Sequence, residues 1–176
     1  MTSKTNHDAF SRINYIENLK ARFPLQSNPE LSEARYGVIA DYYQRYGLDA
    51  LRRQIWWSTR KKRIGPKQDQ RYVQDFIIGT TIDGFRSIAE KTGTYEGQDG
   101  PYWCGKDGVW VDIWLHNEPP YAAKVGVYKK GFKAPLYAVA KFHQYDGKNM
   151  IWGQFPDLMI AKCAEAAALR RAWPDD

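Results

Sequence analysis

Residues 52–71 read RRQIWWSTRKKRIGPKQDQR, a stretch with more positive charge than the whole 176-residue chain. Its eight basic residues, Arg52, Arg53, Arg60, Lys61, Lys62, Arg63, Lys67 and Arg71, meet one acid, Asp69, for a net +7 against a chain total of +6. The remainder is therefore close to neutral. Strand-forming residues run from Gln54 to Arg60 and from Tyr72 to Gly79, with Gly65-Pro66 between them, which predicts a basic β-hairpin. Such a strip, flanked by Trp56, Trp57 and Tyr72, neutralises phosphates while offering rings on which bases stack, as sequence-tolerant nucleic-acid binders do. A hairpin charged only for solubility has the same composition.

Before the hairpin the pattern is helical. Phe10, Ile13, Ile16, Leu19 and Phe23 recur at helical spacing from about Asp8, and Pro24 ends the run. A second helix is expected from Asn28 as N-cap and Pro29 in the first turn, through Leu31, Val38, Ile39, Tyr42 and Tyr46, to Gly47. After the hairpin a short helix opens at Thr80 or Thr81, with Phe85, Ile88 and Ala89 inward, Gly93 past its last turn and Gly84 permitting close backbone approach.

Gly93 to Gly108 reads as a turn-laden loop or a bulged strand. Val109, Val111, Ile113 and Leu115 then alternate with Trp110, Asp112, Trp114 and His116, a period of two that predicts a strand. Past Pro119-Pro120, strands are expected over Tyr121 to Lys129 and Leu136 to Tyr145. One face of that pair collects Lys124, Tyr128 and Lys130 with Tyr137, Lys141, His143 and Tyr145, which suits either a DNA-facing sheet or a solvated outer face. The last helix begins at Pro156, is alanine-rich from Ala161 to Ala172 and stops at Pro174. Lys162, Ala166 and Arg170 share one stripe of it, where a phosphate backbone can come close; a buried alanine face with both cations at its rim gives the same spacing.

The length fits one domain over residues 1–176, with no internal repeat or linker. An aromatic fraction of 15% beside a pI near 9.2 favours a polyanionic partner, nucleic acid before a membrane surface. No apolar run approaches the ~20 residues that span a bilayer, and the N-terminus lacks a signal-peptide pattern, so a cytosolic location is expected. Cys104 and Cys163 stand far apart, as do His7, His116 and His143, which points to neither a disulfide framework nor a metal site. The glycines needed for a phosphate-cradling loop before Lys106 or Lys148 are missing, so action without ATP is expected.

The block Thr80-Thr81-Ile82-Asp83-Gly84-Phe85-Arg86-Ser87-Ile88-Ala89, then Gly97-Gln98-Asp99-Gly100-Pro101 and Trp103-Cys104-Gly105, resembles the phage recombination proteins of the RecT and lambda Red beta (Bet) family. Tyr46-Gly47-Leu48, Trp152 with Pro156, Met159 and Lys162-Cys163-Ala164, and Leu169-Arg170-Arg171-Ala172-Trp173-Pro174 are similar to further landmarks of that family; the likeness spans Leu31 to Pro174. The resemblance implies an α+β fold with a basic hairpin and an antiparallel sheet crossed by helices, assembling into a ring or helical filament. It implies a non-enzymatic protein of the bacterial cytoplasm that coats single-stranded DNA left by a 5′ to 3′ exonuclease and pairs it, through an annealed duplex intermediate, with a complementary strand. The exonuclease and the host single-strand binding protein are the implied partners, recruited by a tail beyond the helix; with the chain stopping at Asp176, that tail is expected to be absent. No cofactor or metal is implied. Arg170 matches a DNA-contacting arginine of the family, Arg53 a basic position entering the hairpin, and Trp152 an aromatic beside the DNA groove. A basic pair after the proline in lambda Red beta is here Asp157-Leu158, so the phosphate contacts made there are expected to be lost or moved to Lys162 or the hairpin.

The expected DNA-binding set is thus Arg53, Arg60, Lys61, Lys62, Arg63, Lys124, Lys130, Lys141, Trp152, Lys162 and Arg170. Annealing requires cations that screen two phosphate chains and contacts that leave base edges free. A 20.4 kDa protomer covers few nucleotides, against the ~4–16 of small single-strand binding folds, so assembly is part of the expected mechanism. The rivals are a passive nucleic-acid-binding module and a Mg²⁺-dependent nuclease built on Asp75, Asp83, Asp99 and Asp112 with Lys124, acids that also suit caps and turns. If each protomer neutralises about five phosphates, log affinity for single-stranded DNA falls with log salt at a slope of roughly −3.5. Titrations at several salt concentrations with unrelated oligonucleotides check this; a flat response or strong preference for one sequence contradicts it.

Overall fold

Helix α1 (Thr2–Arg22) ends before Pro24, and a 3-10 turn at Leu25–Ser27 leads to helix α2 (Glu33–Tyr46). The computed structural model describes residues 2–66 and 70–174, with side chains from residue 11; Lys67 and Asp69 of the basic strip and the Phe10 side chain lie outside the described residues. The start of α2 differs from expectation. Its N-cap is Ser32, whose hydroxyl accepts from the Arg35 amide, and not Asn28, whose side-chain amide instead donates to the Pro24 carbonyl. Gly47 closes the helix in the left-handed region at φ 64, where a Cβ would be strained.

Strands β1 (Ile55–Ile64) and β2 (Arg71–Thr80) form a two-stranded antiparallel sheet in register Ile55↔Thr80 through Ile64↔Arg71. Each is longer than the expected span, because the ladder continues through the basic residues. Helix α3 (Ile82–Lys91) starts with the Thr81 hydroxyl accepting from the Gly84 amide. Gly84 lies so close to the preceding turn that a Cβ there would sit 2.2 Å from the Gln54 carbonyl oxygen.

Strand β3 (Tyr95–Cys104) resolves the glycine-rich stretch as a bulged strand, with register breaks between Tyr95 and Gln98 and between Asp99 and Tyr102. The alternating run 109–116 yields only β4 (Trp110–Val111). Periodicity is overruled because its apolar members find no core: Ile113 is 63% and Leu115 85% exposed. Strands β5 (Ala122–Lys129) and β6 (Leu136–Lys141) complete an antiparallel sheet of order β4-β3-β5-β6. The strand expected to reach Tyr145 stops at Lys141. Phe142–Tyr145 form the short helix α4, because Phe142 turns inward to meet Trp152 edge-on at 5.6 Å, so His143 and Tyr145 leave the sheet face. Helices α5 (Met150–Gln154) and α6 (Pro156–Ala172) follow.

The chain divides into two compact units, residues 1–84 and 85–176. In the first, Leu19, Tyr36, Ile39 and Ile55 are buried, and the Tyr36 hydroxyl donates to the Phe23 carbonyl at 2.5 Å. In the second, α6 lays Ile160, Ala161 and Ala164 on Ala123, Val125 and Ala140 of the sheet, with Trp152 closing one end. The other end of α6 is fixed by Lys129, whose ammonium donates to the Ala172 carbonyl at 2.6 Å, by the Arg171 guanidinium on the Tyr137 carbonyl, and by the Trp173 indole on Thr94. A cation at a helix C-terminus also opposes the helix dipole.

The packing around Gly84 predicts that Gly84→Ala destabilises the protein by about 2 kcal/mol through backbone displacement. Gly153→Ala, whose Cβ meets nothing within 4 Å, is neutral or stabilising by up to about 1 kcal/mol. Urea unfolding of both variants is the check; equal midpoints contradict the close approach.

Candidate nucleic-acid interface

In the first unit, side chains alternate along β1, so Arg60 and Lys62 project from one face and Lys61 and Arg63 from the other. All four are exposed. The residues opposite them are Asp75, Gln74, Val73 and Tyr72. Only Asp75 is acidic, and its pair with Arg60, at 3.5 Å between an exposed guanidinium and a partly exposed carboxylate, is weak. The inner half of the ribbon is anchored instead by rings. Trp57 meets Phe23 edge-on at 4.9 Å and donates to Glu30, while the Trp56 indole lies across Gly79, where any Cβ would clash with it at 2.4 Å.

Arg53 sits at the root of this ribbon with φ 59, an uncommon conformation for a residue with a side chain. It is held from both ends: its amide donates to the Ala50 carbonyl, and its carbonyl accepts from the Thr81 hydroxyl at 2.6 Å. Arg53 lines a cavity of about 280 Å³ with Phe23, Glu30, Trp56 and Trp57.

In the second unit, Lys162, Ala166 and Arg170 lie on the stripe of α6 turned from its buried face. The Arg170 guanidinium stacks 4.9 Å from the centre of the Phe85 ring. One helical position before Ala166, Glu165 is 8% exposed and takes a two-pronged hydrogen bond from Arg86, at 2.7 and 2.9 Å. Trp152 belongs to the core beneath α5, packed on Phe142. Lys130 is exposed just past β5, its amide bonded to the Thr94 carbonyl, and Lys141 ends β6 opposite Ala122.

Lys124 is placed differently from the other cations. Its ammonium lies among three rings, 4.8 Å from the centre of Trp110, 5.2 Å from Tyr102 and 5.4 Å from Tyr137. Asp99 ties two of those rings together by accepting from the Tyr102 hydroxyl at 2.5 Å and from the Tyr137 hydroxyl. The Tyr102 hydroxyl, then that of Tyr137, holds the Asp99 carboxyl below its ordinary range; Asp99 in turn raises Tyr102 and pushes Tyr137 up to about 12. Sequence reasoning did not find this cluster, nor the Arg86–Glu165 pair. Asp99 and Arg86 do stand within the motif blocks, but nothing in their spacing discloses partners 38 and 79 residues away.

A larger cavity of about 510 Å³ lies under the 105–121 segment, lined among others by Trp114, His116, Tyr121, Phe142 and His143. It contains none of the expected DNA-binding residues. Among the described residues no group of three or more His, Cys, Asp or Glu is placed to hold a metal ion, and no helix is long and apolar enough to cross a membrane. Of the acids a nuclease would use, Asp75 is paired with Arg60 and Asp99 with the two phenols.

The family model described as RecT matches residues 39–176, which contain both strands of the ribbon, the whole second unit and every motif that carries the resemblance. The chain belongs to the RecT family. A role in phage recombination through annealing follows in general terms from that membership. A search of curated proteins gave no match.

The tyrosine–aspartate cluster gives a prediction in pH. A folded tyrosine raised above its ordinary 10.0 contributes stability that is whole below that value and lost as pH rises toward about 12. Asp99, being lowered, contributes stability above the ordinary carboxylate range that is lost as pH falls through its depressed value. Absorbance titration of Asp99→Asn should show two tyrosines, Tyr102 and Tyr137, ionising closer to their ordinary pH than in the parent. Superimposable curves contradict the cluster.

Proposed function

We propose that this RecT-family protein is an ATP-independent single-strand annealing protein of phage homologous recombination, working without enzymatic turnover. It holds single-stranded DNA through phosphates at Arg53, Arg60, Lys61, Lys62, Arg63, Lys130, Lys162 and Arg170, and pairs it with a complementary strand, whose phosphates Lys124 and Lys141 on the sheet attract. The observation that carries this reading is the run of four cations in β1 paired in register with a single acid, on a ribbon whose described outer residues are exposed. A two-stranded ribbon is marginal by itself, so concentrating like charge on it is favourable mainly when a polyanion is bound.

The reading supplies what annealing demands. Phosphate contacts neutralise each strand without reading its sequence. Duplex formation is downhill by about 1.4 kcal/mol per base-pair step, so screening and alignment suffice without nucleotide hydrolysis. One protomer offers too short a path for a stable duplex nucleus, so protomers act together in a ring or helical filament in the cytoplasm of the bacterial host. A 5′ to 3′ exonuclease supplies the strands, and the host single-strand binding protein is the competitor or partner on them.

Mixing the protein with two complementary labelled oligonucleotides, without nucleotide and with either Mg²⁺ or chelator, tests the function. Pairing accelerated over the protein-free rate in both conditions is expected. Binding without acceleration identifies a passive module, and shortened strands with Mg²⁺ a nuclease; either result overturns the proposal. Arg170→Ala should weaken strand binding by about 1.5–3 kcal/mol, as for a charged hydrogen bond. Arg171→Ala should act mainly on stability, because that side chain is bonded to the Tyr137 carbonyl.

A further inference from the structure

The antiparallel sheet of the 85–176 unit has one face covered by α6 and another that keeps large side chains exposed. Antiparallel sheets with one open face ordinarily line it with polar residues. Here register puts one aromatic ring on each of four successive rows. Trp110 lies in the row of Cys104, Ala122 and Lys141; Tyr102 in the row of Lys124 and Val139; Tyr137 in the row of Asp99 and Gly126; Tyr128 follows on β5. Successive rows are about 6.8 Å apart. Trp110, Tyr137 and Tyr128 are 36, 38 and 40% exposed.

Three features make this face a fixed surface and set its charge. Tyr102 and Tyr137 are both tethered through their hydroxyls to Asp99, so their rings are oriented before any ligand arrives. The Tyr137 ring is seated on Gly126, where a Cβ would come within 2.7 Å of it. Within these rows Asp99 has its charge engaged by the phenols, and Asp112 acts on Tyr102 from beside them, whereas Lys124 stands at the centre and Lys141 at the edge. Fixed rings with interleaved cations match the π-faces and phosphates of unpaired nucleotides, whose stacking is tolerant of sequence.

We propose that this face is a second nucleic-acid site, a stacking platform that captures the bases of the incoming strand while the first strand is held through its phosphates elsewhere. The proposal rests on the annealing reading and goes beyond it, because it gives the two strands different modes of contact. Each ring engages one unpaired base, and pairing with the first strand pulls that base off the platform.

The test uses the full chain saturated with an oligo(dT) strand, to which a non-complementary oligonucleotide with a single 2-aminopurine is added. Quenching of the 2-aminopurine is expected in the parent. The double variant Trp110→Leu/Tyr128→Leu should lose most of this quenching and anneal at least tenfold more slowly, while binding the first strand within twofold of the parent. Tyr137→Phe, which keeps the ring and loses the tether, should retain quenching, and equal melting temperatures exclude a folding defect. Failure of the parent to capture the second strand, or parental annealing by the double variant, overturns the proposal. Loss of self-association by the double variant in light scattering also overturns it, by assigning the face to a second copy of the chain. Failure of the parent to bind the first strand would instead count against the annealing reading itself.

Discussion

The contact between α6 and the sheet is the constraint on which the second unit depends. Ala161 and Ala164 on the helix meet Ala123 and Ala140 on the strands, so the backbones approach with little side-chain bulk between them. Close approach of this kind fixes the rotation of the helix, since only one face is small enough to fit. The opposite stripe, with Lys162, Ala166 and Arg170, then has no freedom to turn inward. Lys129 on the Ala172 carbonyl and Arg171 on the Tyr137 carbonyl pin the far end, and Arg86 on Glu165 pins the middle. A buried carboxylate is costly unless it is paired, so the Arg86 partner is obligatory once Glu165 lies on the packed side.

The two units manage charge in different ways. On the β1–β2 ribbon, four cations stand exposed with a single weak counter-ion among the described residues, which leaves their field available to an anion. On the sheet, Lys124 is enclosed by rings and Asp99 by phenols, which spends much of the local charge on orienting aromatic side chains. The first arrangement suits contacts that follow a phosphate chain, and the second suits contacts with flat, uncharged surfaces.

Sequence patterns disclosed the element types where local chemistry and burial agree. Pro24, Gly47, Pro156 and Pro174 bounded helices as expected, and the alanine-rich run gave α6. Pattern failed where burial did not follow periodicity. The alternation over residues 109–116 produced two strand residues, because Ile113 and Leu115 stay exposed among the described residues. At Phe142 the strand pattern lost to an aromatic contact with Trp152, which took His143 and Tyr145 off the face to which alternation had assigned them. Ser32 displaced Asn28 as a cap because Asn28 is used by the preceding turn. The basic residues themselves were legible from composition alone. The partners that set their surroundings, Phe85 for Arg170 and three rings for Lys124, are long-range and left no mark in local spacing.

The central claim is that a first strand is held through its phosphates with its bases left open to pairing. Permanganate reactivity of thymines in that strand, read beside the affinity of a methylphosphonate analogue lacking backbone charge, tests it most directly. The account predicts thymines as reactive in the complex as in free DNA, together with a large loss of affinity for the uncharged backbone. Thymines protected along the first strand, with affinity for the methylphosphonate analogue undiminished, would contradict it.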